Sequence, residues 1–339
     1  MDDDELREAV AQACRAPGFS GVVSVDRGGE VVALGAAGRA DRRWGIANEA
    51  GTQFGVASGT KLLTALVVVS LVEQGRLSLA TTARSVLGVD LPQIADEVTV
   101  EQLLCHRSGI GDYLDETLYD DIADFELPVP AQRLSSVAAY LEVVDGHPMA
   151  STPGERFDYN NGAYVVLALI AERVAGESFY DLVDRVVCAP AGLTSTAFLR
   201  SDALPPAAAV GYLDDEGLRT NVFHLPVRGS GDGGVYTTAA DVSRLWRAFV
   251  SGEVVAPASV DLMVTPRRLE PGAELDYGLG VWLHADGVLE IHGYDAGVSF
   301  RSLHHRGTRT TVTALANTTD GVGLVDELID EWLAGCVVT

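Results

Sequence analysis

From Ser58 to Glu73 the chain is apolar on nearly every side, and it stops at Gly75. Helical periodicity leaves this stretch no polar face to turn toward water, so it reads as a buried helix with a C-terminal glycine. Its longest apolar run, Leu62 to Val72, contains Thr64 and Ser70 and is too short to cross a bilayer, which takes about 20 residues. A helix of this kind must be enclosed by other layers of the same molecule. At 339 residues, with 47% hydrophobic and 21% charged, the chain can build such an enclosure as one large unit or two intimate lobes.

The rest of the chain indicates what those layers are. Asp2 to Cys14 reads as a short amphipathic helix. Gly21–Val25 and Glu30–Leu34 alternate like paired strands and are joined at Arg27-Gly28-Gly29, a hairpin turn. Beyond residue 80, Val100–Leu104, Ala131–Val144, Gly162–Val174 and Ser178–Val187 carry helical period between loops containing Pro128, Pro130, Pro148, Pro153 and Gly154. After Val235 come an amphipathic helix (Ala239–Val250), strand-like runs at Gly278–Leu283, Gly297–Leu303 and Thr310–Ala316, and a closing helix at Asp326–Leu333. Strands at both ends and helices between them predict an α/β (α+β) fold: an antiparallel sheet flanked by terminal helices, with a mainly helical lobe inserted. Residues 1–80 and 225–339 would form the discontinuous sheet region and 81–224 the helical region. The active site would lie between them.

Charge narrows the functional classes. Lys and Arg total 24 against 48 Asp and Glu, a formal net charge of −24, which repels phosphate backbones and anionic lipid surfaces. Neither a nucleic acid nor a membrane is therefore expected as a partner. Cys14, Cys105, Cys188 and Cys336 are widely spaced and form neither a disulfide framework nor a metal knuckle. No metal or cofactor is expected. The acidic start from Met1 to Glu5 is followed by no apolar signal segment, so the expected location is cytoplasmic. Of the positive side chains, 23 are Arg and only Lys61 is Lys. A buried Lys can be tuned toward neutrality and an Arg cannot, so the lone lysine hints at a task that guanidinium cannot perform.

Three segments carry candidate chemistry. In Ser58-Gly59-Thr60-Lys61, positions i and i+3 share a helix face, so the hydroxyl and the amine can meet at the helix's first turn. Free N–H groups there suit a developing oxyanion. The plainer reading is an N-cap serine with a surface lysine, and the apolar Leu62–Val67 that follows weighs against it. Tyr159-Asn160-Asn161 lies on a loop entering a helix. A phenol beside a cation has a lowered pKa and could serve as general acid or base, while Asn161 could orient Lys61 and donate to a substrate carbonyl. The asparagines could equally be helix caps. In Ile291-His292-Gly293-Tyr294, glycine allows close backbone approach, and an edge strand would offer the Tyr294 N–H as a second oxyanion donor. A bulge or hairpin is the plainer alternative. His106, His224, His284, His304 and His305 show no ligand spacing, and Trp44, Trp246, Trp282 and Trp332 are expected to pack.

In this order the three segments resemble the serine β-lactamase and penicillin-binding-protein family, specifically its class C-type branch, which includes D,D-peptidases, D-aminopeptidases and family VIII esterases. Leu103–Ile110, Pro153-Gly154 and Ser230–Thr238 agree with that branch, and the resemblance spans roughly residues 15 to 335. It implies a β-lactamase/transpeptidase-like fold and a serine acyl-enzyme mechanism. Ser58 would be the nucleophile, with Lys61 and Tyr159 sharing the general-base role. Asn161 would position substrate, and the N–H groups of Ser58 and Tyr294 would form the oxyanion hole. His292 and Gly293 would belong to the third motif. That motif departs from the family pattern. If Gly293 and Gly297 keep the family spacing, Ile291 stands where Lys or His is usual. If His292 is the motif's first residue, Tyr294 replaces its glycine. Neither register keeps the full pattern of a cation followed by its glycine, so the motif does not point to a substrate carboxylate. The expected function is therefore a serine hydrolase acting on a small ester or amide. The alternatives are β-lactamase, D,D-peptidase or D-aminopeptidase activity on the same scaffold, and a catalytically silent binding module.

Overall fold

The structure, a computed structural model, describes residues 1–119, 121–267 and 275–336. Its first helix, α1 (Asp3–Ala13), starts where the Asp2 carboxylate accepts the N–H groups of Asp4 and Glu5 while Glu5 reaches back to the Asp2 N–H. Two strands follow, β1 (Gly21–Arg27) and β2 (Glu30–Ala37). The remaining strands of the main sheet come from the C-terminal third: β3 (Asp276–Tyr277), β4 (Trp282–Leu283), β5 (Val288–Asp295), β6 (Val298–His305) and β7 (Thr310–Ala316). Among the described residues these seven form one antiparallel sheet in the order β2-β1-β7-β6-β5-β4-β3.

Strand alternation divides the sheet's side chains between two cores. Val23, Val25, Leu303, Val312 and Ala314 face α1 and the C-terminal helix α5 (Asp326–Cys336), packing on Leu6, Val10, Ile329 and Trp332. Val22, Ile291, Phe300 and Leu315 face the opposite way, into the larger core. That core is built around α2 (Thr60–Glu73), α3 (Asn161–Ala175) and α4 (Ala239–Ser251). From Thr60 to Leu71 every residue of α2 is buried, as its uniform apolarity requires. The predicted fold class, an antiparallel sheet with flanking terminal helices and a helical insertion, is the one observed.

Three local expectations fail for identifiable reasons. Ala131–Val144 is not one helix but two 3₁₀ turns (Ala131–Arg133, Val137–Tyr140) and one α turn (Leu141–Val144). The carbonyls of Ala131 and Leu134 accept the N–H groups of Val227 and Arg228, and Leu134 leaves the helical region at φ −83°, ψ 74°, which ends the first turn. The helix predicted over Ser178–Val187 begins at Phe179 but widens into a π turn at Asp184–Cys188, just ahead of Pro190, which has no N–H to extend it. The run Gly278–Leu283 is not a continuous strand. Gly280 (φ +82°) turns the chain there, and a Cβ on it would lie 2.5 Å from the Ala65 methyl of α2. The segment that carries Ile291 to Tyr294 lies within a full strand of the sheet, Val288–Asp295.

Trp246 of α4 ties helix to sheet. It is fully buried, donates its indole N–H to Ser302 Oγ on β6 at 2.9 Å and stacks on His304. Trp246→Ala would leave a cavity beneath β6, and should lower unfolding free energy by about 3–5 kcal/mol. Urea denaturation checks this, and a loss below about 1 kcal/mol would contradict the packing role.

Candidate active site

The site is assembled around the start of α2. A 3₁₀ turn, Ala57–Gly59, leads into the helix, and Ala57 is buried in the left-handed region at φ +41°. A non-glycine residue held there stores strain of about 1–3 kcal/mol, and it sits immediately before Ser58. One turn on, Lys61 is 2% exposed. Its ammonium donates to Ser58 Oγ at 2.7 Å, Asn161 Oδ1 at 2.8 Å and the Asp232 carbonyl at 3.0 Å. Three N–H bonds thus meet three acceptors, which is what a buried ammonium needs to remain tolerable. Thr60 and Thr64 flank it on α2. Thr60 Oγ1 accepts the Val235 N–H, and Thr64 donates to the Gly231 carbonyl, so successive turns of α2 hold the 230–235 loop against the lysine.

Asn161 opens α3. Asn160 caps that helix by accepting the Ala163 N–H at 2.7 Å, and Asp112 accepts the N–H groups of Asn161 and Gly162 at 2.6 and 2.8 Å. The two asparagines divide the roles expected of them: Asn160 caps and Asn161 reaches Lys61. The Asn161 amide nitrogen donates to the Leu114 carbonyl and to Glu116 Oε1. Both amide protons are therefore engaged within the protein, and a substrate carbonyl would have to displace Glu116 to gain one.

Tyr159 lies between His106 (ring centroids 4.3 Å apart) and Trp282 (6.0 Å, interplanar 14°), and it lines the cavity beside Ser58. The Lys61 Nζ sits 4.9 Å from the centre of the ring. Both expected pKa directions are reversed. Burial raises the Tyr159 pKa, and the lowering by Lys61 does not overcome it. Burial alone would depress Lys61, but Tyr159, Asp232 and Glu116 outweigh it and hold the amine above its ordinary value. The resting site thus pairs an ammonium with a neutral phenol.

The third segment lies on β5. Beyond Glu290 no strand among the described residues pairs its outer side, because β4 covers only Leu289 and Glu290. The two-residue turn Ala296-Gly297 makes Asp295–Val298 a hydrogen-bonded pair, so the N–H of Tyr294 points away from β6 to the open edge. Gly293 packs directly on the serine turn, and a Cβ there would lie 2.6 Å from Ser58 N and 2.2 Å from the Val56 carbonyl. Ile291 is buried in the core, so the position usual for a cation is apolar. His292 cannot simply substitute for it. Its Nδ1 is 2.9 Å from Glu290 Oε1, and its ring stacks on Trp282. Burial would raise the Glu290 carboxyl, but hydrogen bonds from His284 and His292 and the charge of Arg301 hold it far below the usual range. The Tyr294 phenol points elsewhere, to Asp320, leaving only its backbone near Ser58.

Of the seven predicted site residues, Ser58, Tyr159, Asn161, His292, Gly293 and Tyr294 line one open cavity of about 630 Å³, and Lys61 is bonded beneath Ser58 and Asn161. A second cavity shares Ser58, Asn161 and Tyr294 and runs between Tyr113, Phe125, Tyr140 and Leu225. Sequence reasoning missed Asp112, Glu116, Asp232 and Asp295, all of which border these cavities. It also assigned no role to His106, which is fully buried, accepts the Asn160 N–H at Nδ1 and supports the Tyr159 ring. Trp282, expected only to pack, also lines the larger cavity.

Asp295 accepts the Ala296 N–H at 3.0 Å, and burial raises its pKa to about 7, with Glu116 and Asp232 adding repulsion. A carboxyl raised in the folded state from 3.8 stabilises fully below pH 3.8, and that contribution is lost as pH rises through about 7. Asp295→Asn should therefore raise the melting temperature at pH 8 and change it little at pH 4. Equal shifts at the two pH values would contradict the assignment.

The beta-lactamase family model matches residues 6–330. The solved structure of a penicillin binding protein from Bacillus halodurans superposes with a TM-score of 0.89 at 34% identity, covering 95% of this chain and 99% of that one. Esterase EstB of Burkholderia gladioli is 33% identical over 221 residues, 60% of this chain and 53% of the esterase. Penicillin-binding protein 4* of Bacillus subtilis is 27% identical over 324 residues, 88% of this chain and 68% of that protein. The chain belongs to the beta-lactamase family and is a serine hydrolase of that fold.

Proposed function

We propose that this hydrolase cleaves a small ester or amide through an acyl intermediate on Ser58. The observation that carries the reading is the 2.7 Å bond between Lys61 Nζ and Ser58 Oγ, with the Tyr159 ring centred 4.9 Å from the same ammonium. Once the Lys61–Tyr159 pair has lost one proton it can take another from the Ser58 hydroxyl. A neutral Lys61 would still donate to Asn161 Oδ1 and the Asp232 carbonyl, leaving its lone pair for the serine proton. Ser58 Oγ then bonds to the substrate carbonyl carbon, and the resulting oxyanion is met by the N–H groups of Ser58 and Tyr294. Collapse breaks the bond to the leaving alkoxide or amine, which takes up the proton. Water repeats the sequence, releasing the acid and restoring the serine.

Charge favours a substrate without a carboxylate. Glu116, Asp232 and Asp295 border the cavities, Ile291 supplies no cation, and His292 is committed to Glu290. A β-lactam or a peptide C-terminus would bring its carboxylate into an acidic site, at a Coulomb cost that grows as water is excluded. An esterase among the relatives supports the ester arm of the proposal. The same reading keeps nucleic acid and membrane outside the set of partners, since the net charge of −24 opposes both.

A fluorophosphonate probe should add one equivalent to the wild-type chain and none to Ser58→Ala, read by intact mass. Labelling that persists in Ser58→Ala would overturn the assignment. Ser58→Ala should lower kcat for p-nitrophenyl esters by at least about 10³-fold, and nitrocefin should be turned over far more slowly than the ester.

Because both Lys61 and Tyr159 are shifted upward, the reactive singly deprotonated pair is scarce at neutral pH. The kcat/KM of the wild type should climb toward the ordinary tyrosine and lysine range, about pH 10. Tyr159→Phe should cost about 10²-fold or more and change the position of that limb. A flat alkaline profile in the wild type would remove the pair from the mechanism.

A further inference from the structure

Away from the serine, an open cavity of about 580 Å³ lies where α4 meets the β6–β7 turn and the β1–β2 hairpin. It shares no lining residue with the cavities at Ser58. Four arginines border it: Arg244 and Arg247 from α4, Arg306 and Arg309 from the turn. In a chain with 48 acidic side chains against 24 basic ones, such a concentration of guanidinium groups needs a cause.

The pairing pattern supplies one. Arg244 is held by Asp241 at 2.7 Å, and Arg306 approaches Asp261 at 3.8 Å. Arg247 and Arg309 differ from the rest. Among the described residues they are the arginines whose side chains make neither a hydrogen bond nor an ion pair, and both face this cavity. The acid at the rim, Glu253, accepts the Ser251 hydroxyl instead. Arg247 also lies so close over Gly29 that a Cβ there would sit 2.0 Å from its Nη1, so the hairpin holds the guanidinium in place.

An independent observation comes from beneath the arginines. His304 lines the same cavity, is 1% exposed, and has a buried Nε2 with no partner. Its Nδ1 is 2.9 Å from Thr311 Oγ1, and burial, with His305 and Arg306 nearby, lowers its pKa to about 4. The ring is therefore neutral. When Thr311 donates to Nδ1, Nε2 carries a proton with no acceptor. A buried unmet donor destabilises the free protein, and a ligand oxygen would satisfy it.

We infer that this cavity binds a small molecule through a phosphate group, with Arg247, Arg309 and His304 Nε2 as the donors that the free protein leaves unmet. Guanidinium forks match phosphate oxygens two at a time, and a dianion offsets the surplus of positive charge more fully than a single carboxylate. The size of the cavity leaves room for the remainder of a phosphate ester or for a diphosphate. The site does not depend on which acyl substrate the serine takes.

The test uses the full chain and inorganic pyrophosphate at constant ionic strength, followed by calorimetric titration and thermal melting. Saturable binding and a rise in melting temperature are expected, with citrate weaker than pyrophosphate and chloride without effect. Arg247→Gln/Arg309→Gln should weaken the affinity at least about tenfold while leaving p-nitrophenyl ester turnover unchanged. The His304 imidazole nitrogen resonances should shift on titration in the wild type. No saturable binding, an affinity equal in wild type and double variant, or tighter binding of citrate would each overturn the proposal.

Discussion

The buried ammonium of Lys61 is the interaction on which the site's architecture depends. A charge with almost no solvent contact is tolerable only if its hydrogen-bonding needs are met by the fold. Lys61 meets them with one acceptor from its own turn, one from the first residue of α3 and one from the 230–235 loop. Those three acceptors lie far apart in the chain, at 58, 161 and 232. Satisfying the lysine therefore requires the serine turn, the α3 N-terminus and the glycine-rich loop to arrive together. Thr60 and Thr64 repeat the constraint at the loop, and Asp112 repeats it at α3.

Around that cation the electrostatics are set by buried acids. The neighbouring ionisable groups are mostly acids, and burial rather than pairing dominates several of them: Asp295 and Asp112 are each raised to about 7. The Lys61 charge is the local offset, which explains why the anionic surroundings hold it protonated despite burial. On the other side of β5, Glu290 gathers His284, His292 and Arg301 into a satisfied cluster. That cluster fixes His292 against Trp282 and leaves the β5 edge beside Ser58 to its backbone. Specificity thus arises from which cations are engaged elsewhere as much as from which groups face the cavity.

The cavity at α4 follows the opposite logic. The same acid-rich chain pairs or hydrogen-bonds its other described arginines and leaves Arg247 and Arg309 uncommitted over a buried, half-satisfied histidine. Polar groups left unmet in a protein interior carry a cost, so they persist where a ligand meets them or where function tolerates the cost.

Much was legible in the residues themselves. The uniform apolarity of α2 required enclosure, the solitary lysine three residues after a serine marked a meeting of hydroxyl and amine, and the strand–helix–strand order gave the fold class. These are local properties: periodicity, side-chain chemistry, and spacing along one helix. What only the tertiary structure decided was non-local. Ala131–Val144 packs as separate turns whose Ala131 and Leu134 carbonyls bond Val227 and Arg228 nearly a hundred residues on, and the fit of Gly280 against Ala65 bends the run at 278–283. The pKa directions of Tyr159 and Lys61 reversed because burial and the distant acids Glu116 and Asp232 enter only once the chain is folded. The register of β5, which places Gly293 on the serine turn and Ile291 in the core, depends on pairing with β6 and not on any signal within the segment.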